Sequence, residues 1–130
     1  MIVVDTSALL AISFEEEGHA GFMEAVLSTD DPRLGAPNLV EASMVVETRR
    51  GERGLRELDT IVSNLGLAIV AFDASHVAAA RDAFRRYGRG RHRAALNFGD
   101  CCAYALAKVL GLPLLFKGKD FTLTDIKRAL

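Results

Sequence analysis

The chain begins Met1-Ile2-Val3-Val4-Asp5-Thr6-Ser7, an aliphatic run that ends abruptly in a carboxylate and two hydroxyls. Mostly β-branched residues of this kind are typical of a buried parallel strand. A short helix is predicted over residues 8–12, with Thr6 or Ser7 as its N-cap. Because open α/β sheets keep their ligand sites at the carboxyl ends of strands, Asp5 is expected to face such a crevice. By itself the stretch would also fit an ordinary capping aspartate.

Length and composition indicate a globular protein. The 130 residues suffice for one domain with a hydrophobic core, predicted to span residues 1–130. Half of the residues are hydrophobic and a quarter are charged, which excludes disordered and fibrous classes. No apolar run is long enough to cross a bilayer and no signal-peptide pattern is present, so a cytoplasmic protein is expected. Cys101 and Cys102 are adjacent within an apolar helical pattern, where a structural disulfide is not expected.

Strand and helix patterns alternate along the chain. Apolar runs at 67–72 and 112–116 predict strands, and a weaker strand is predicted at 33–36. A largely buried helix is predicted from Asn38 to Arg50, and helical patterns also precede each of the last two strands. Alternation with short connections indicates a doubly wound parallel sheet in a single three-layer α/β/α domain.

Four acidic residues stand at ends or in apolar parts of these elements. They are Asp5 after the first strand, Glu41 in the buried helix, Asp100 at the start of another apolar helix and Asp120 after the last strand. Burying an unpaired carboxylate is costly, so a shared cation explains all four together. Mg²⁺ and Mn²⁺ prefer such oxygen ligands. No His or Cys pair has the spacing of a zinc site.

Clustered carboxylates that hold Mg²⁺ are suited to phosphodiester hydrolysis. The metal lowers the pKa of a water molecule that then attacks in line, and no covalent enzyme intermediate is needed. The sequence has no P-loop and no G-x-G-x-x-G after the first strand, which argues against nucleotide-binding folds.

The charge is unevenly distributed despite a formal net charge of −1. Residues 81–93 contain six arginines and His92 but only one acid, Asp82. This segment includes a basic loop, Tyr87 to Arg93, that we expect to be mobile. Arginine matches phosphates and stacks on exposed bases, so the segment predicts RNA contact, with an acidic protein partner or a solvated helix face as alternatives. The candidate RNA-binding residues are Arg85, Arg86, Arg89, Arg91 and Arg93.

Four motifs together resemble the PIN-domain ribonucleases of the VapC toxin type. They occur in the family's order along the whole chain, as Val4-Asp5-Thr6-Ser7-Ala8-Leu9, Pro37-Asn38-Leu39-Val40-Glu41, Asn97-Phe98-Gly99-Asp100-Cys101-Cys102-Ala103-Tyr104-Ala105-Leu106-Ala107 and Leu114-Leu115-Phe116-Lys117-Gly118-Lys119-Asp120-Phe121. The resemblance implies a PIN-like α/β/α fold and a Mg²⁺- or Mn²⁺-dependent endoribonuclease toxin of a type II toxin–antitoxin system.

The resemblance also implies roles for individual residues. Asp5, Glu41 and Asp100 match the three central acids, and Asp120 matches the more variable fourth, for which Asp125 is an alternative. Thr6 or Ser7 would hold the Asp5 carboxylate or a metal-bound water, and Asn97 would contact the acids or the RNA. As partners, the family implies a homodimer and a VapB-type antitoxin whose C-terminal segment enters the active-site groove.

Two other classes of protein fit the sequence less well. A response-regulator receiver has a similar length, but it needs an adjacent acidic pair after the first strand, and here Thr6 follows Asp5. A non-catalytic PIN-like module that binds RNA or a partner would be expected to lack one of the central acids. All three are present, which favours the enzyme.

Overall fold

A computed structural model describes all 130 residues and contains a four-stranded parallel sheet. The strands are β1 (Val3–Val4), β2 (Arg33–Gly35), β3 (Ala68–Val70) and β4 (Leu114–Leu115). Their order in the sheet is β3-β2-β1-β4, and Val3 pairs with Arg33 on one side and Leu114 on the other. β1 therefore lies inside the sheet, where the apolar character of the first residues had placed it.

Five helices and one 3₁₀ helix connect and cover the strands. They are α1 (Thr6–Ser13), α2 (His19–Leu27), α3 (Ala36–Asn64), α4 (Ala74–Tyr87), α5 (Phe98–Leu110) and the 3₁₀ helix Asp120–Leu123. No helix is both long enough and apolar enough to span a membrane.

Successive side chains of β1 enter two separate hydrophobic cores. Val4 packs with residues of α1, α2 and α3, and Val3 packs with residues of α4 and α5. Because neighbouring strand residues point to opposite faces, this division means that helices cover both faces of the sheet. The arrangement confirms the predicted three-layer α/β/α fold with a central parallel sheet.

The strand order places a crevice beside β1. From β1 the chain moves outward through β2 to β3, and it then crosses back to place β4 on the other side of β1. The carboxyl ends of β1 and β4 thus flank the switch point at which α/β folds bind ligands. Asp5 follows β1, and the Lys117–Asp120 segment follows β4.

Three details differ from the sequence prediction. Helix α1 begins at Thr6 with Asp5 as its N-cap, rather than after Thr6 or Ser7, because Asp5 accepts the backbone N–H of Ser7. The helix over 38–50 is not largely buried, since Val40 and Met44 are exposed on its outer side. The predicted end of this helix at Arg50 is matched by a kink at Gly51, whose φ of 67° and ψ of −160° are non-helical, but helical turns resume directly after the kink and run to Asn64.

Candidate active site

Asp5 lies at the junction of β1 and α1, almost fully buried at 3% exposure. Its Oδ2 accepts two hydrogen bonds from Ser7, from the backbone N–H at 3.0 Å and from the hydroxyl at 2.6 Å. Its Oδ1 is buried and has no hydrogen-bond partner. Buried carboxylate oxygens are normally satisfied, so this atom has the free coordination capacity of a ligand.

The environment of Asp5 disfavours its ionised form. Burial raises the pKa of Asp5, the two hydrogen bonds from Ser7 lower it, and the negative charges of Asp100 and Glu41 raise it again, to about 7. A positive charge at Oδ1 would remove this penalty, because an opposite charge favours the carboxylate.

Ser7 joins Asp5 to the end of β4. While its hydroxyl donates to Asp5, the same oxygen accepts the backbone N–H of Lys117 at 2.9 Å. Of the two residues predicted to hold the Asp5 carboxylate, Thr6 and Ser7, it is Ser7 that bonds to it. The Thr6 hydroxyl makes no hydrogen bond to the Asp5 carboxylate and instead donates to the carbonyl oxygen of Asn38 at 3.3 Å.

Glu41 reaches across from α3 to the first turn of α5. Its half-buried carboxylate packs over Gly99, where a built Cβ would collide with both carboxylate oxygens. The absence of a side chain at Gly99 therefore lets Glu41 approach the N-terminus of α5. The partial positive charge of a helix N-terminus favours a carboxylate in this position.

Asp100 is the third residue of α5 and forms a reciprocal capping box with Asn97. Asp100 Oδ2 accepts the backbone N–H of Asn97 at 3.0 Å, and Asn97 Oδ1 accepts the backbone N–H of Asp100 at 2.9 Å. Burial raises the pKa of Asp100, the Asn97 hydrogen bond lowers it, the charges of Asp120 and Glu41 raise it, and Arg89 lowers it. Asn97 thus acts on Asp100 by fixing the helix start.

The two candidates for the fourth acid have different surroundings. Asp120 begins the 3₁₀ helix, is exposed and makes no ion pair, yet its charge raises the pKa of Asp100. The carboxylate of Asp125 is already engaged by Tyr104 at 2.5 Å, Lys108 at 2.9 Å and Arg86 at 3.5 Å. Burial opposes ionisation of Asp125, but these partners hold its pKa at about 2. Asp120 is the acid left free for a cation.

These acids fit a hard divalent cation. Asp5 and Asp100 each respond to the charges of other acids of the set, and Asp5 Oδ1 is without a partner. As they stand, no three His, Cys, Asp or Glu side chains are close enough to form a metal-binding group, so a cation would have to draw them together. The donors are all oxygens, which suits Mg²⁺ or Mn²⁺ better than zinc. Both cysteines are free and buried.

The five predicted RNA-binding arginines do not share one environment. Arg86 pairs with Asp82 and Asp125 and stacks on Tyr87, and Arg85 lies 3.7 Å from Asp82. Arg91 lies over the ring of Phe84. Arg89 and Arg93 are exposed without an ion pair, and the charge of Arg89 reaches Asp100. Hydrogen bonds to Gly88 and Tyr87 organise the loop as consecutive turns.

Sequence reasoning missed two features beside the acids. Asn38 on α3 is buried at 1% exposure, and its side chain bonds to α1 and α5. A single polar residue in a helical pattern gives no sign of such contacts in the sequence. A hollow of about 630 Å³ lies between α4 and α5, lined mainly by apolar residues that include Val77, Phe84 and Phe98. Phe98, which is 79% exposed, precedes Gly99 and Asp100, and only its exposure marks it as unusual.

The chain is similar over nearly its whole length to one protein family and to ribonucleases of two mycobacterial species. Residues 2–127 match the PIN domain family. Ribonuclease VapC of Mycolicibacterium smegmatis is 51% identical over 126 residues, which are 96% of this chain and 97% of that protein. Ribonuclease VapC30 of Mycobacterium tuberculosis is 48% identical over 126 residues, covering 96% of this chain and 95% of the relative.

A solved structure has the same fold. It is the crystal structure of Mycobacterium tuberculosis VapC20, a sarcin-ricin loop cleaving toxin, which superposes with a TM-score of 0.78 at 19% identity over 97% of this chain and 96% of that one. At this identity the likeness concerns the fold alone. The ribonucleases are about half identical to this chain over nearly its whole length, and the family match covers residues 2–127. This chain therefore belongs to the PIN domain family and, within it, to the VapC ribonucleases.

Proposed function

We propose that this chain is a Mg²⁺- or Mn²⁺-dependent endoribonuclease that acts as the toxin of a type II toxin–antitoxin pair. The metal dependence is supported above all by the state of Asp5 Oδ1, a buried carboxylate oxygen that has no hydrogen-bond partner. The negative charges of Asp100 and Glu41 also raise the pKa of Asp5. A cation at this point would satisfy the oxygen and offset the repulsion among the acids. The ribonuclease relatives, about half identical over nearly the whole chain, support the activity.

Asp5, Glu41, Asp100 and Asp120 would hold the cation. When bound, Mg²⁺ or Mn²⁺ supplies an activated water and stabilises charge for in-line hydrolysis of an RNA phosphodiester. Ser7 fixes Asp5 Oδ2, which leaves Oδ1 free to act as the ligand. Asn97 fixes Asp100 through the capping box, so that both carboxylates are oriented before substrate arrives.

Arg89 and Arg93 are the arginines best placed to contact RNA. Both are exposed and neither makes an ion pair, whereas Arg86 is held by acids of its own chain. Arg89 also lowers the pKa of Asp100, which supports a location of its positive charge beside the proposed metal ligands. Arginine at this position can bind the phosphates that flank the scissile bond. An RNA substrate is consistent with the cytoplasmic location predicted from the sequence.

A second copy of the chain and a VapB-type antitoxin are the proposed protein partners. Val77, Phe84 and Phe98 are exposed around the hollow between α4 and α5, and exposed apolar patches of this kind mark protein interfaces. We assign this face to the homodimer, so Phe84→Glu should yield monomers in light scattering. The acidic site attracts cations in general, which suits an antitoxin segment that carries an arginine.

The test is cleavage of an unstructured RNA and a stem-loop RNA by the purified protein. We expect cleavage with Mg²⁺ or Mn²⁺, none in EDTA and none by Asp5→Asn. Asp59→Asn serves as the matched control, because it makes the same chemical change at an exposed carboxylate of α3 that makes no ion pair, and it should cleave. Cleavage that persists in EDTA or in Asp5→Asn would refute the metal-dependent mechanism, and RNA binding without cleavage would indicate a binding module.

A further inference from the structure

Asn38 connects the three elements that carry the central acids. It lies on α3, three residues before Glu41, and its side chain is 1% exposed. One amide group donates both of its hydrogen bonds across the fold, to Thr6 Oγ1 at 3.0 Å and to the Gly99 carbonyl oxygen at 3.1 Å. Thr6 is the neighbour of Asp5, and Gly99 is the neighbour of Asp100.

The connection to α1 is made twice. Thr6 Oγ1 accepts from the Asn38 side chain and donates to the Asn38 backbone carbonyl at 3.3 Å, so the two residues form a closed pair. The first turn of α1 is thereby fixed against the first turn of α3. Since Asp5 is the N-cap of α1, its carboxylate is placed relative to α3 by this pair.

The connection to α5 lies beneath Glu41. The Glu41 carboxylate packs directly over Gly99, and Asn38 holds the carbonyl of the same glycine. Residues three apart lie on the same side of a helix, so Asn38 and Glu41 both contact the start of α5 from one face of α3. Asp100 follows Gly99 directly, and its position relative to Glu41 depends on this contact.

We propose that Asn38 is a positioning residue that sets the distances among Asp5, Glu41 and Asp100, and hence the affinity of the site for a divalent cation. The proposal rests on the metal-dependent activity proposed above. Asn38 touches neither cation nor RNA and acts only through Thr6 and Gly99. Residues that orient metal ligands in this way typically change metal affinity or activity by about 10–100-fold when replaced.

The test compares Asn38→Leu with the wild-type protein. Leucine has a similar size but removes both amide hydrogens, so the Thr6 and Gly99 contacts are lost while the space stays filled. Mn²⁺ binding is measured by electron paramagnetic resonance, and kcat and KM are measured on a single-stranded RNA. We expect the Mn²⁺ dissociation constant to rise about ten-fold or more. The kcat should fall at sub-saturating metal, while KM for RNA stays close to that of the wild type.

Two controls separate positioning from folding. Asp73→Ala removes the N-cap of α4, which is distant in sequence from the acids, and should lower stability without changing Mn²⁺ affinity. Asn38→Ser, whose smaller side chain disturbs packing in a different way, decides the question if Asn38→Leu does not fold, and the same loss of affinity is expected.

The outcomes distinguish this inference from the proposed function. If the wild-type protein binds Mn²⁺ and Asp5→Asn does not, the metal site stands. Unchanged Mn²⁺ affinity in folded Asn38→Leu or Asn38→Ser would then overturn the role of Asn38 alone. If the wild-type protein itself does not bind Mn²⁺, both the metal site and the positioning role are refuted.

Discussion

Replacement of Asp5 by Asn should stabilise the metal-free protein at alkaline pH while it abolishes metal binding and cleavage. Asp5 is 3% exposed, has one oxygen without a partner and lies near two other acids. These features make an ionised Asp5 costly unless a cation is bound. The amide of Asn has nearly the same shape and no charge, so the cost disappears together with the ligand.

The magnitude follows from the pKa of Asp5, which rises from 3.8 to about 7 on folding. A carboxyl group with a raised pKa binds its proton more tightly in the folded state. Its contribution to stability is therefore fully present below pH 3.8 and is lost as the pH rises through about 7. At about 1.4 kcal/mol per pKa unit, the free energy of unfolding of the wild type should fall relative to Asp5→Asn by about 3 kcal/mol between pH 5 and pH 8.

Urea unfolding in EDTA at pH 5 and pH 8 measures this difference. The control is Asp59→Asn, which removes an exposed carboxylate on α3 that makes no ion pair. With Mn²⁺ at about 100 times its dissociation constant, the wild type should gain about 2.7 kcal/mol and Asp5→Asn should gain nothing. The difference in stability between the two proteins must widen from pH 5 to pH 8. A constant difference, or equal stabilisation of both proteins by Mn²⁺, would refute the role of Asp5 as a buried metal ligand.

Three further substitutions probe the rest of the site. Gly99→Ala should fold but cleave RNA at least about ten-fold more slowly, because the added Cβ would displace the Glu41 carboxylate. An unaltered cleavage rate with an intact circular dichroism spectrum would show that the Glu41 carboxylate can move without loss of activity. Asp120→Asn should weaken Mn²⁺ binding in calorimetry, and Asp125→Asn should leave it unchanged; equal losses would contradict the assignment of the fourth ligand. Asp125→Asn should instead unfold at a less acidic pH than the wild type in an acid titration. The depressed pKa of about 2 gives Asp125 a stabilising contribution that is present above pH 3.8 and lost as the pH falls through about 2. An identical acid transition would show that the contacts of Asp125 with Tyr104, Lys108 and Arg86 add no stability.

The sequence predicted the parts of the site that depend on element boundaries. Asp5 follows an apolar strand and Asp100 opens an apolar helix, so local sequence patterns were enough to place each of them at the end of its element. The family resemblance is confirmed by the match to residues 2–127. The roles assigned to the individual acids stay predictions until the variants are measured.

Contacts between distant residues could not be predicted in the same way. Asn38 is 32 residues from Thr6 and 61 from Gly99, and nothing in its local pattern shows that its amide is buried. The same holds for Asp125, whose partners lie on α4 and α5. The exposure of Val40 and Met44 was missed because apolar side chains on all sides of a helix predict burial, whereas the protein leaves one side uncovered.

The most direct test of the metal site is anomalous diffraction from crystals soaked in Mn²⁺. We expect a manganese peak within coordination distance of Asp5 Oδ1 that is shared with Asp100, with Glu41 or Asp120 nearby. The peak should vanish in Asp5→Asn crystals. A peak elsewhere, or a peak that persists in the variant, would contradict the claim that the unpartnered oxygen of Asp5 is a metal ligand.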